Sequence, residues 1–223
     1  MDDKLNIAKL IDHTLLKPYA TEKDIQKLCD EARKYDFFSV CVHPFFVKKA
    51  KNMLSGTDVK LTTVIGFPMG MTLTRVKIYE AMEAALLGAD ELDIVINLGA
   101  VKTGKWGIIK KEISDLVTAT PDITHKVIIE TCYLSDDEKI KASIAVMEAG
   151  AEFIKTSTGF APAGAAVRDI AMIKTATKGK TGIKAAGGIK TLNDILSFVR
   201  AGATRIGTSS GADIMKDYLS GIR

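Results

Sequence analysis

Two lysines stand near the ends of two short apolar runs in this 223-residue chain: Phe153-Ile154-Lys155-Thr156-Ser157-Thr158-Gly159 and Gly182-Ile183-Lys184-Ala185-Ala186-Gly187-Gly188. A lysine within a core strand is unfavourable unless its charge has a partner or a use. If the two strands are neighbours, two ammonium groups face each other. At a separation of about 5 Å and an effective dielectric of about 20, their repulsion is roughly 3 kcal/mol, or about 2 pKa units. Partial burial acts in the same direction. An amine driven toward neutrality attacks an aldehyde carbonyl and forms a Schiff base. A structural Lys–Asp ion-pair network filling the same space is the other use of such residues.

The elements that must position these lysines follow from the rest of the pattern. Leu87-Gly88-Ala89-Asp90-Glu91, Ala149-Gly150-Ala151-Glu152-Phe153 and Ala201-Gly202-Ala203-Thr204-Arg205 repeat one helix-to-strand junction, with a helix ending at glycine. Thr21-x-x-Asp24, Ser135-x-x-Glu138 and Thr191-x-x-Asp194 are capping boxes that start helices. Strands are predicted near Ile11–Leu15, Phe38–Val42, Lys60–Ile65, Glu91–Ile96, Lys126–Glu130, Phe153–Thr156, Gly182–Ala185 and Thr204–Gly207. Runs such as Val127-Ile128-Ile129 are apolar on both faces, as a helix-covered parallel sheet requires. Eight strands alternating with helices predict an α/β (β/α)8 TIM barrel forming one domain over 1–223. A doubly wound sheet is the alternative, but no Gly-x-Gly-x-x-Gly follows the first strand.

Catalytic groups of such a barrel project from the C-terminal strand ends. The polar residues there are Asp12, Cys41, Asp93, Glu130, Lys155 and Lys184. Side-chain alternation sends Ile154, Ile183, Leu92 and Ile94 outward, and Lys155, Lys184 and Asp93 inward. Glu130 is open to two readings, a base or a lysine partner. Behind the sixth, seventh and eighth strands lie Thr158-Gly159, Gly187-Gly188 and Gly207-Thr208-Ser209-Ser210-Gly211. Backbone amides, serine hydroxyls and a helix N-terminus near Ser210 suit an anion, although glycine-rich turns alone give the same composition.

Other chemistries find less support. His13, His43 and His125 match no zinc spacing, and His125 is expected before its strand, at the far end of the barrel. Three widely spaced cysteines, Cys29, Cys41 and Cys132, argue against a disulfide framework and for a reducing compartment. Thirty-one basic against 27 acidic residues give a net charge of +4, but the lysines are spread out. The short cluster Lys48-Lys49-Ala50-Lys51 reads as a solvated helix face, so no nucleic-acid partner is expected. No apolar run approaches the roughly 20 residues of a membrane span, and Met1-Asp2-Asp3-Lys4 does not open like a signal peptide. A cytoplasmic protein is expected.

At these residues the chain resembles the deoxyribose-phosphate aldolase family, class I aldolases with a (β/α)8 fold. The resemblance runs nearly full length. It rests on Ile11-Asp12-His13-Thr14-Leu15-Leu16, Val40-Cys41-Val42, Glu91-Leu92-Asp93-Ile94-Val95-Ile96-Asn97 and Val127-Ile128-Ile129-Glu130-Thr131. Its most specific parts are Lys155-Thr156-Ser157-Thr158-Gly159-Phe160 and Lys184-Ala185-Ala186-Gly187-Gly188-Ile189.

The resemblance implies reversible cleavage of 2-deoxy-D-ribose 5-phosphate to acetaldehyde and glyceraldehyde 3-phosphate. Lys155 is then the Schiff-base lysine, Lys184 its perturbing neighbour and Asp93 a member of the proton relay. Asp12 supports the site and substrate recognition. Gly159, Gly187, Gly188, Gly207, Ser209 and Ser210 then hold the phosphate; by position, Thr158 is a substrate-binding candidate, and Cys41, ending the second strand, is either a cavity-lining substrate contact or a buried apolar cysteine. No metal or other cofactor is implied, and a homo-oligomer, dimer or tetramer, is. Two features depart from the family pattern. The chain ends at Gly221-Ile222-Arg223 without a tyrosine-terminated tail, a role not assigned to Tyr218, and the loop Ala161-Pro162-Ala163-Gly164-Ala165-Ala166 is small and apolar. If the paired lysines work as inferred, Lys184→Ala moves the pKa seen in the rate profile upward, which a pH–rate series on the variant measures.

Overall fold

The structure, a computed structural model, describes residues 5–221. The features read on Met1–Lys4 and on the last two residues lie outside them. Eight strands form a closed, all-parallel barrel in sequence order: β1 (Ile11–Leu15), β2 (Ser39–Val42), β3 (Lys60–Ile65), β4 (Glu91–Val95), β5 (Thr124–Ile128), β6 (Phe153–Lys155), β7 (Gly182–Ala186) and β8 (Arg205–Thr208). The helices around it are α1 (Glu22–Tyr35), α2 (Val47–Met53), α3 (Thr74–Leu86), α4 (Leu98–Lys102), α5 (Trp106–Ala119), α6 (Asp136–Glu148), α7 (Val167–Ala176), α8 (Leu192–Ala201) and α9 (Gly211–Ser220). The chain is thus the (β/α)8 barrel that its pattern predicts. Among the described residues no helix is long and apolar enough to cross a membrane.

The capping boxes form as read. Thr21, Ser135 and Thr191 each accept the amide of the residue three further on, and Asp24, Glu138 and Asp194 reach back to the cap amides at 2.8–2.9 Å. The junction glycines Gly88, Gly150 and Gly202 take φ of 102°, 93° and 120°, closing α3, α6 and α8 before the next strand.

Alternation divides the core in two. Outward strand residues such as Val127, Ile154, Ile183 and Ile206 pack with the helices in one continuous apolar layer. Inside the mouth of the barrel, Leu16, Cys41 and Val64 form a small separate cluster, against which Phe67 packs. Val95, Ile128 and Ala186 share the inward face with the charged residues that fill the middle of the barrel.

β1 and β3 keep their predicted bounds, five strands differ by a single residue, and β5 differs by two. β5 runs from Thr124 to Ile128, two residues earlier than the local apolar run suggests, because Thr124 pairs with Glu91 at the start of β4. His125 therefore sits inside the strand, fully buried, with Nε2 2.8 Å from the Thr120 hydroxyl. At the other end Glu130 adopts φ 52°, a left-handed conformation that stops the strand.

Ser135→Ala removes a formed cap on α6. It is expected to lower stability by about 1 kcal/mol and the melting temperature by roughly 2–4 °C, read by thermal denaturation.

Candidate active site

Strand register sets the geometry. Lys155 on β6 lies directly opposite Lys184 on β7, and Lys126 on β5 lies opposite Asp93 on β4. Asp93 is fully buried and is the hub. Its Oδ2 accepts Lys155 Nζ at 2.7 Å and Lys184 Nζ at 2.8 Å, while its Oδ1 accepts Lys126 Nζ at 3.0 Å. The Cys41 thiol reaches Oδ2 at 3.9 Å.

A second tier lies below. Lys184 contacts Asp12, whose Oδ1 accepts the Arg205 guanidinium at 2.9 Å. Glu91 holds Lys126 at 2.7 Å and Arg205 at 3.2 Å, and accepts the Thr62 hydroxyl at 2.8 Å. The Arg205 guanidinium lies 3.4 Å from the Phe38 ring centre and 5.3 Å from that of Phe153, closing the cluster from beneath.

Electrostatics follow from this layout. Burial opposes the charge of Asp93, but the ammonium groups of Lys126, Lys155 and Lys184 overrule it and hold the carboxyl well below its usual range. Burial likewise opposes the charge of Asp12, and Lys184, Lys126 and Arg205 outweigh it. Lys184 is also desolvated, yet Asp12 and Asp93 push it above the ordinary lysine value, so it remains a cation. Burial, with Asp93 beside it, pushes the Cys41 thiol up to about 11, leaving it a neutral donor.

Four cations, Lys126, Lys155, Lys184 and Arg205, thus face three carboxylates, Asp12, Glu91 and Asp93. With Lys155 neutral, as attack on a carbonyl requires, the remaining charges balance three against three.

A cavity of about 280 Å³ opens above the cluster. Among the network residues, Lys155 alone lines it. Gly159, Gly187, Gly188, Gly207 and Ser209 line its far side as the sequence suggests, joined by Lys17 and Lys190. No protein acceptor takes the amides of Gly159, Gly187, Gly188 or Ser209 among the described residues. α9 begins at Gly211, just behind Ser209. This rim of free amides and two exposed lysines suits a doubly charged anion.

Gly207 has a second use. A Cβ there would lie 3.0 Å from both Lys184 Cε and Ala186 Cβ, so glycine leaves room for the lysine. The loop 161–166 is docked rather than free: the Ala165 amide donates to Ala186 O and Gly187 O, both at 3.1 Å. Gly164 permits this approach, since a Cβ there would meet Gly187 O at 2.2 Å.

Other sequence-predicted positions fall elsewhere. Asp12 and Cys41 are fully buried and off the cavity lining. Asp12 is enclosed by Lys184 and Arg205, so its reach toward a substrate is through those cations. Ser210 lies outside the lining, its amide held by the Thr208 hydroxyl at 2.9 Å. Thr158 does line the cavity, with its amide and hydroxyl turned to Glu130. Glu130 is therefore no lysine partner.

The sequence reading missed Glu91, Lys126 and Arg205. Glu91 and Arg205 open β4 and β8, well below the C-terminal strand ends, and Lys126 is central in β5, level with Asp93, whereas the predicted strand starts at Lys126. Strand alternation was the available signal. Glu91 is two residues before Asp93, Lys126 two before Ile128, and Arg205 two before Gly207, and each pair shares a face.

A lysine held by a buried carboxylate at the C-terminal face of a parallel barrel, beneath an anion-shaped rim, places this chain among barrels that do carbonyl chemistry. Residues 6–217 match the family described as DeoC/LacD family aldolase, and the chain belongs to it. It is 53% identical over 216 residues to the deoxyribose-phosphate aldolase of Thermococcus gammatolerans, covering 95% of this chain and 96% of that one. It is 50% identical over 217 residues to the enzyme of that name from Caldanaerobacter subterraneus subsp. tengcongensis, covering 96% and 94%. Among solved structures, the aldolase QR15 superposes with a TM-score of 0.93 at 44% identity, covering 97% of each chain. The deoxyribose phosphate aldolase of Aeropyrum pernix, described as having a unique tetrameric structure, gives 0.89 at 34%, covering 96% of this chain and 91% of that one.

The shifted groups imply a pH dependence. Asp12 and Asp93 titrate lower in the folded chain than the ordinary 3.8, so their contribution is present above about pH 4 and is lost on acidification below it. Lys184 titrates above 10.5, so its contribution is complete below that pH and is lost only as the solution becomes more alkaline. Urea midpoints are expected to hold through neutral pH and to fall below pH 4; Asp93→Asn should flatten the acid limb.

Proposed function

We propose that the protein is a class I deoxyribose-phosphate aldolase, which reversibly cleaves 2-deoxy-D-ribose 5-phosphate to acetaldehyde and D-glyceraldehyde 3-phosphate. The observation that carries this is the singular position of Lys155, tied to the buried charge network and open to the cavity. The family membership and relatives about 50% identical that bear this name support it.

Catalysis begins with neutral Lys155 Nζ attacking the C1 aldehyde of the open-chain sugar. Loss of water gives an iminium. Removal of the C3 hydroxyl proton drives cleavage of the C2–C3 bond, and the bonding electrons pass into the iminium as an enamine. Glyceraldehyde 3-phosphate leaves. Protonation of the enamine at C2 and hydrolysis then release acetaldehyde and regenerate the amine. Asp93 touches Lys155 and Lys184 through one oxygen, which gives a short path for the proton that must leave Lys155 and return. Lys184, held cationic, keeps positive charge beside the reacting nitrogen. Lys126, Glu91 and Arg205 support this pair from below.

At the other end the amides of Gly159, Gly187, Gly188 and Ser209, with Lys17 and Lys190, receive the phosphate. Phosphate sites of such barrels commonly use the loops after the seventh and eighth strands. Asp12 and Cys41 act on the substrate indirectly, through Lys184 and Asp93. We also propose a homo-oligomer in the cytoplasm, with three free thiols suited to a reducing medium.

The test is chemical trapping. Acetaldehyde with borohydride is expected to leave a reduced ethyl adduct on Lys155, located by intact mass and peptide mapping. No adduct, or one unchanged in Lys155→Ala, would falsify the mechanism.

A further inference from the structure

Glu130 is a buried carboxylate that the reaction above does not use. It is 2% exposed and lies off the cavity lining. Its backbone is held at φ 52°, a strained conformation for a residue with a Cβ, and such strain persists only where the surroundings impose it.

The surroundings are specific. The Thr158 amide donates to Glu130 Oε1 and Oε2 at 3.2 Å each, and the Thr158 hydroxyl donates to Oε2 at 2.5 Å. That hydroxyl in turn accepts the Phe160 amide at 3.1 Å. Beside it the Thr131 amide donates to Thr156 O at 2.9 Å, locking the two strand ends together. One carboxylate thus fixes three consecutive residues, Thr158, Gly159 and Phe160, all of which line the cavity. The Gly159 amide is left without a protein acceptor, on a residue that lines the cavity. Phe160, half exposed, packs perpendicular to the Phe67 ring, 5.2 Å away at 89°.

We infer that Glu130 is a positioning residue, which through Thr158 sets the β6 wall of the cavity and so aims the Gly159 amide at the substrate's phosphate, without touching the reacting atoms. This rests on the aldolase reading of the same site. A carboxylate suits the task because it accepts two donors from one residue and has none of its own to misplace. An amide in its place keeps one acceptor and offers an N–H to a pair of groups that already donate. A general base placed here would instead point an oxygen into the cavity, and none does.

The role separates binding from chemistry. A wall that aims the phosphate acts on substrate binding, whereas Schiff-base formation with acetaldehyde, which lacks a phosphate, does not need it. In Glu130→Ala the KM for 2-deoxyribose 5-phosphate and the inhibition constant for inorganic phosphate are expected to rise on the order of tenfold, as for loss of a charged buried hydrogen bond. The value of kcat should fall far less. Trapping of acetaldehyde on Lys155 should stay at the wild-type level. Glu130→Gln should fall between wild type and Ala.

If the alanine variant does not fold, Glu130→Gln and Thr158→Val carry the test, Thr158→Ser restoring the hydroxyl and the wild-type KM. The Glu130→Gln/Thr158→Val double variant should lose less than the sum of the singles. An unchanged KM and phosphate constant in Glu130→Gln and Thr158→Val, or a fall in kcat with KM unchanged, overturns the proposal. Phosphate affinity by calorimetry needs no turnover. If wild type traps no acetaldehyde, the aldolase reading fails, and the calorimetric effect of Glu130→Gln still decides the role of this wall.

Discussion

One carboxylate organises the interior of this barrel. Asp93, itself without measurable access to solvent, binds three ammonium groups within 3.0 Å. Moving such ions out of water costs several kcal/mol each, and only close, hydrogen-bonded pairing offsets it. Without Asp93 the three lysines would repel one another at short range in a medium that screens poorly. A purely apolar barrel interior would be as stable or more so. Carbonyl chemistry on an anionic substrate gives the charge a use.

Much of the remaining structure accommodates that charge. Asp12 and Glu91 bring the lower tier close to neutrality, and Arg205 is capped by aromatic rings rather than left open to the barrel floor. Gly182 leaves space for Phe153, where a Cβ would sit 2.5 Å from its ring, as Gly207 does for Lys184. Small residues on β7 and β8 thus admit the bulky cationic and aromatic side chains of their neighbours. The network holds one cation more than it has carboxylates, and Lys155 is the cation that reaches the cavity.

The rim obeys a different rule. It carries few side chains and many backbone amides, held in place by contacts made below and behind it. Ala165 ties the 161–166 loop to β7, Thr208 secures Ile189 at 2.7 Å, and Glu130 secures Thr158. The apolar loop stands behind the cavity lining, docked on the backbone of Ala186 and Gly187 that the cavity does use.

The sequence by itself determined the elements and their handedness of use. Capping boxes, junction glycines and two-sided apolar runs act over a few residues, so the eight-strand alternation and the inward facing of Asp93, Lys155 and Lys184 were readable from it. Only the tertiary structure decided partnership. Whether Lys126 meets Asp93, whether Glu130 turns to Thr158 or to a lysine, and whether Asp12 faces substrate or Arg205 depend on strand register and on which side chains share the closed interior. Register arises from pairing between segments distant in sequence, as the start of β5 shows, and burial inside a closed barrel forces each charge to find its counterpart among whatever residues that register brings opposite.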